Sequence, residues 1–302
     1  MIYSKKALTF DEQITQLKQR GLIINDESVA RSYLQTVGYY RLSGFWWPML
    51  SDKTNRIFKP NSTFENVIAI YNFDKELRFL LFDVIETIEI VFRTKLIYHL
   101  SLELTPWWFE DAYNFKNPVD HSNTLISIDR ELQQTKENFI KRHYLKYHTD
   151  NRRPPAWKTI EIASFGTLSK LYGNLKNHIK AKNIIAQEFG TVNHTYFPSW
   201  LQSISQIRNM VAHHSRLWNK NLPGRPRLLS KPPYPWLVNV PPSSEHYMLY
   251  IHLCCLKYLL NIVKPHNDMT NKLNGLLNTY FNIDPNALGI KDNWQEEPLW
   301  KS

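Results

Sequence analysis

From Phe64 to about Leu100 apolar residues return at helical spacing without interruption, and no other feature limits the fold so strongly. The heart of the stretch, YNFDKELRFLLFDVIETIEIVFRTKLIYHL (71–100), predicts one long helix that needs other helices to cover it. Phe10, Ile14 and Leu17 begin a shorter amphipathic helix that stops near Gly21. Val29, Tyr33, Leu34 and Val37 form a second, behind the cap-like Asn25-Asp26. The segment VGYYRLSGFWWPM (37–49) then ends this helix pair at Gly44 and Pro48. Further helices are expected at 127–146, 158–176, 178–189, 197–214, 245–264 and 268–281, with HTDNRRPPAW (148–157) as a linker or exposed loop. There is no alternating strand series and no internal repeat. The expected class is all-α, a helical bundle with a small N-terminal helical subdomain at 1–60 and the main helical domain at 61–302. Seven prolines between Pro223 and Pro242 break regular helix and define a Pro-rich basic loop at about 221–244.

Charge is unevenly placed. Thirteen Lys and Arg stand against two acids, Glu161 and Glu188, between Asn151 and Ser244, whereas the rest of the chain has 24 basic and 25 acidic residues. No acid occurs from Phe189 to Ser244. A positive field concentrated there suits a polyanion, and nucleic acid is the partner expected. Cys254 and Cys255 sit in a helical stretch and read as packing groups, which fits a reducing compartment. The start, MIYSKKALTFDEQ, lacks an apolar signal core. The run MLYIHLCCLKYLLNIV (248–263) is too short and too polar to span a bilayer. A cytoplasmic protein without membrane association is expected.

Inside the acid-free segment lies IRNMVAHHSRLWN (207–219). At 100° per residue, Trp200, Leu201, Ile204, Ile207 and Val211 share the buried arc of its helix. Arg208 falls at the edge of that arc, Asn209 and His213 fall on the polar face with Gln202, Ser205 and Gln206, and His214 turns back towards the apolar side. Cleaving RNA without a metal requires three things: taking the ribose 2′-OH proton, stabilising the phosphorane and protonating the 5′-oxygen. Histidine suits the proton transfers and a guanidinium matches phosphate oxygens. Arg208 is therefore the candidate phosphate stabiliser and His213 the proton-transfer group, with Asn209 and His214 supporting them. One chain supplies one exposed histidine, so acid and base together require two copies and a homodimer. The competing reading is a helix end whose His and Arg merely cap carbonyls and meet solvent. Neither H-E-x-x-H nor a Cys pair accompanies the histidines, and no Walker loop, G-x-G-x-x-G or G-x-S-x-G is present, so no metal and no cofactor are expected.

On the 71–100 helix, Arg78, Glu86, Glu89 and Arg93 fall within roughly 80° of one another, with Phe82 among them. They read either as a row that positions Arg208 or His213, or as a solvated ion-pair stripe. Arg93 and His99 also make an R-x₅-H, a candidate second half-site. Tyr39, Tyr40, Arg41, Phe45, Trp46 and Trp47 offer either base stacking, with Tyr40 and Arg41 as RNA contacts, or a packed core. Arg216, Lys220, Arg225, Arg227 and Lys231 lie in or beside the Pro-rich loop, which reads as an extended arm tracking a phosphate backbone or as a solvated loop.

RNMVAHHSRLWN resembles the signature of the Abi-like abortive-infection proteins (the AbiD/AbiF type), whose helical core belongs to the HEPN superfamily of ribonucleases. GYYRLSGFWWP (38–48), the 71–100 block, PPAWKTIEIASFGTLSKLYGNLK (154–176) and LGIKDNWQEEPLW (288–300) are similar to further family blocks in family order. The resemblance implies a HEPN-type bundle and a metal-independent R-x₄₋₆-H endoribonuclease site at a dimer interface, here Arg208 and His213. It also implies a phage-defence effector or toxin that arrests the infected cell by RNA cleavage, in some members paired with a small structured RNA. A neutralising partner of that kind is therefore expected. The alternative function is a non-catalytic RNA-binding protein that sequesters or senses a structured small RNA, and a motif helix serving only dimerisation is a third.

Overall fold

Residues 61–105 contain neither glycine nor proline, and in the computed structural model, which describes residues 6–301, they form the axis of the molecule. The thirteen helices of the described residues are α1 (Phe10–Gln19), α2 (Glu27–Thr36), α3 (Tyr39–Trp46), α4 (Phe64–Glu103), α5 (Pro118–Gln134), α6 (Asn138–Lys146), α7 (Ala156–Ile162), α8 (Phe165–Asn174), α9 (Lys180–Glu188), α10 (Phe197–Ala212), α11 (Leu249–Val263), α12 (Met269–Thr279) and α13 (Pro298–Lys301). The protein is all-α. Its forty-residue α4 runs about 60 Å and starts where the Thr63 hydroxyl accepts the Asn66 N–H at 3.2 Å. Val67, Ile70, Phe73, Leu77, Leu81, Ile88, Phe92, Leu96 and Leu100 keep its core face buried, and α3, α7, α8, α9, α10, α11 and α12 all pack on it. Phe92 alone meets the rings of Phe165, Tyr172, Phe189 and Phe197 edge-on, which joins α4 to α8, α9 and α10.

Local signals set most helix ends. Thr9 and Glu12 close a capping box on α1, and the Asp26 carboxylate accepts the Ser28 and Val29 N–H groups to start α2. Where the sequence suggests an end at Gly44, the chain instead turns at Gly38 (φ +91°) and continues through Gly44 as α3. A two-residue antiparallel pairing of β1 (Leu50–Asp52) with β2 (Ile57–Phe58) follows, too short for an alternating pattern to reveal. The expected helix 127–146 is two, α5 and α6, and 158–176 is also two. The latter break falls at Ala163–Ser164, where the Ser164 hydroxyl caps α8 by accepting the Thr167 N–H.

Cys254 and Cys255 are free and buried within α11, whose residues Leu249–Leu260 are buried on every side. No described helix is long and apolar enough to cross a membrane. The Pro-rich segment is not a free arm. Trp236 stacks on Trp200 of α10 at 5.6 Å between ring centroids, and Trp200 Nε1 donates to the Arg227 carbonyl at 2.6 Å. Glu297 accepts the backbone N–H groups of Val238 and Asn239. Leu222, Leu229, Trp236 and Leu237 bury themselves, so burial of apolar anchors outweighs the tendency of proline to hold the chain extended.

Candidate functional site

The helical wheel of α10 holds as far as Val211: Trp200, Leu201, Ile204, Ile207 and Val211 are all buried. Beyond it the wheel no longer applies, because the helix stops at Ala212. His213 is the cap residue, and His214 adopts left-handed geometry at φ +55°. The His214 N–H donates to the Val211 carbonyl at 3.1 Å and the Ser215 N–H to the Met210 carbonyl at 2.8 Å, the paired bonds of a Schellman turn. His214 therefore does not turn back to the apolar side. Both imidazoles are exposed at the helix terminus.

Two distant anchors hold this turn. The Arg41 guanidinium on α3 donates to the His214 carbonyl at 2.7 Å. On α4, the Asp74 carboxylate accepts the Leu217 and Trp218 N–H groups at 2.8 and 2.7 Å. Asp74 is completely buried and ion-paired with Arg78. Burial pushes its carboxyl above the ordinary range, against the opposing pull of Arg78 and the two amides. Arg78 thus serves Asp74 and stands apart from the Glu86–Arg93 row. Leu217 and Trp218 are buried beneath the turn, which explains a tryptophan after a polar motif. Arg216 is half-buried towards α3, where a Cβ on Gly44 would lie 3.8 Å from its Nη1. It fills that space and is not an exposed phosphate contact.

Arg208 lies on another flank of α10. Its Nε is 3.7 Å from Glu89 Oε2, and Glu89 Oε1 accepts from Arg93 Nη2 at 2.9 Å. Arg93 in turn donates to the carbonyls of Ile160, Glu161 (2.7 Å) and Ala163 (3.0 Å), satisfying the last turn of α7. A chain of charge therefore runs from α7 through Arg93 and Glu89 to Arg208. It borders an open cavity of about 270 Å³ that Glu86, Glu161 and the half-exposed ring of Phe82 also line. Glu89 and Arg93 of the row thus reach the motif helix and α7, whereas Glu86 is exposed and only lines the cavity. The R-x₅-H of the same helix is not a second half-site: Arg93 is committed to α7, and His99 Nε2 meets Glu188 of α9 at 2.9 Å.

Asn209 is exposed on the far flank and lines a separate, larger cleft with Gln202, Ser205 and Gln206. Adjacent motif residues thus open onto different spaces. Arg225 and Arg227 reach the larger cleft from the Pro-rich segment; Lys220 and Lys231 are exposed and line neither cavity. Of the aromatic cluster, Phe45 and Trp46 are core, whereas Tyr40 is 93% exposed and Trp47 half-exposed. Sequence reasoning missed Asp74, whose only local signal is an acid four residues before Arg78. It also missed Lys116, Arg130, Lys170 and Lys182, which line the larger cleft from α5, α8, α9 and the loop before α5. For Lys170 and Lys182 the signal was the scarcity of nearby acids; Lys116 and Arg130 lie outside that stretch, Arg130 directly between Asp129 and Glu131.

These features define an all-α protein organised on one long central helix, with a polar Arg–Asn–His motif at the end of a buried partner helix. Residues 32–219 match the family model for Abi-like protein, and the chain belongs to that family. The match contains α3, the Asp74 anchor, the Glu89–Arg93 row and the whole motif, while the closing LGIKDNWQEEPLW block lies beyond it. No curated protein and no solved structure matches the chain. Family membership points to an abortive-infection role in phage defence and is compatible with an enzyme.

Proposed function

We propose that the protein is a metal-independent RNA endonuclease of the HEPN type, acting as a cytoplasmic abortive-infection effector or toxin. One observation carries the reading: Arg208 is held by Glu89 at the rim of an open cavity, five residues before the exposed His213. The Glu89 carboxylate orients the guanidinium while leaving donors for a phosphate oxygen, which is how a fixed dipole stabilises charge developing on a phosphorane. His213 takes the 2′-OH proton, the 2′-oxygen attacks phosphorus, and the 5′-oxygen leaves with a proton from a second imidazole. The products are a 2′,3′-cyclic phosphate and a 5′-hydroxyl end. When two protomers bring their α10 ends together, each contributes a His213, so that one imidazole acts as base and the other as acid on a linkage held by Arg208.

A second reading, a non-catalytic RNA-binding protein that senses a structured small RNA, draws on the cations of the larger cleft. Incubating purified protein with RNA in excess chelator separates the two. Cleavage that disappears in His213→Ala while binding persists supports the nuclease; binding by the unmodified chain without cleavage refutes it.

A further inference from the structure

The polar flank of α10 walls a cleft of about 1360 Å³, some five times the Arg208 cavity. Six cations line it, Lys116, Arg130, Lys170, Lys182, Arg225 and Arg227, against two carboxylates, Asp120 and Glu131. Among the described residues none of the six forms an ion pair. Glu131 spends one oxygen on the Thr167 hydroxyl at 3.1 Å. Lys182 is fully buried, with its ammonium donating to the Leu175 carbonyl and, at 3.4 Å, to the Gly173 carbonyl. Burial and the neighbouring Lys116 push it down to about 7. Gln206 Oε1 and His194 Nδ1 are buried in the same wall without a partner. Hydroxyls and amides from Ser127, Thr167, Ser169, Gln202 and Asn209 complete the lining.

The composition selects a ligand. Unpaired cations call for a polyanion, and hydroxyls with amides suit phosphate and ribose oxygens. Among the described lining residues there is no Phe, Tyr or Trp, so unpaired bases meet only the His194 ring and the arginine planes, without the row of large aromatic platforms of a site for single strands. We propose that this cleft holds the sugar–phosphate backbone of base-paired RNA, gripping a stem without reading its bases. The inference rests on the nuclease reading for its choice of RNA over other polyanions. Asn209 belongs to the cleft wall and adjoins Arg208 in the chain, so a stem seated here leads its flanking unpaired segment towards the motif.

The test measures fluorescence anisotropy of His213→Ala protein with a hairpin RNA of about 16 base pairs, polyuridylate of equal length and polyglutamate, over a salt series. The hairpin is expected to bind at least about tenfold more tightly than polyuridylate, with a steep salt dependence. Arg130→Glu/Lys170→Glu, both at exposed positions, is expected to weaken the hairpin at least about tenfold and reduce the salt slope by about two, with an unchanged thermal melt. Equal affinity for polyuridylate, preference for polyglutamate, or a double variant that binds like its parent overturns the proposal. If the unmodified protein cleaves no RNA yet binds the hairpin through Arg130 and Lys170, the nuclease reading fails and the cleft assignment stands.

Discussion

The carboxylate of Asp74, at the middle of a buried helix face, accepts the backbone N–H of Trp218 at 2.7 Å across 144 positions of sequence. It accepts the Leu217 N–H as well, so one α4 residue fixes the turn that follows the motif histidines. Asp74→Ala would strand the Arg78 charge and two amides in the core. A loss of about 3–5 kcal/mol of stability is expected, read by urea denaturation, with Asp74→Asn in between because it can still accept a hydrogen bond. Equal stability of the alanine variant would show that the anchor is dispensable.

Arg208 and Glu89 form the contact nearest the proposed chemistry. Removing the guanidinium in Arg208→Ala is expected to lower RNA cleavage on the order of a hundred- to a thousandfold. Glu89→Gln keeps the shape but loses the charge that aims Arg208, and a smaller drop of about tenfold is expected, with hairpin affinity unchanged. Single-turnover rates with labelled RNA measure both.

The two histidines are expected to behave differently. His213 is exposed, so His213→Ala should abolish cleavage while shifting stability by no more than about 0.5 kcal/mol. His214 carries a left-handed backbone that costs an L-residue about 1–2 kcal/mol. His214→Gly should therefore melt higher than the parent and lose less cleavage than His213→Ala. A glycine variant that melts lower would mean that the imidazole, not the backbone, stabilises the turn.

A site shared between protomers makes an inactive partner poisonous. With random pairing, an equal mixture of unmodified and His213→Ala chains, unfolded and refolded together, should retain about a quarter of the parent's cleavage. Retention of half would mean that each chain works alone.

His252 of α11 is buried against the Ser203 hydroxyl of α10, and burial lowers its pKa from 6.5 to about 4. Between those values the unfolded chain takes up a proton that the folded chain refuses, so stability is complete above pH 6.5 and falls as the pH drops towards 4. The full loss is about 3 kcal/mol. Melting temperature followed from pH 7 to pH 4 should show it, and His252→Leu should flatten that limb although it melts lower at neutral pH.

What the sequence by itself determined is whatever depends on neighbours a few residues apart. The helical spacing from Phe64 onward set α4, and the spacing of Trp200, Ile204, Ile207 and Val211 set the buried side of α10, because a period of 3.6 residues is a local property. The same periodicity placed Glu86, Glu89 and Arg93 together, yet it could not say what they would meet. Only the tertiary structure decided that Arg93 closes α7 at Ala163, that Arg41 holds the His214 carbonyl from 173 positions away, and that Arg208 and Asn209 face different cavities. It also drew the proline-rich segment onto Trp200, where composition alone suggested a loose arm. Such contacts join residues that carry no local record of one another; their partners are chosen by how the buried faces pack and by the need to satisfy every enclosed donor and acceptor.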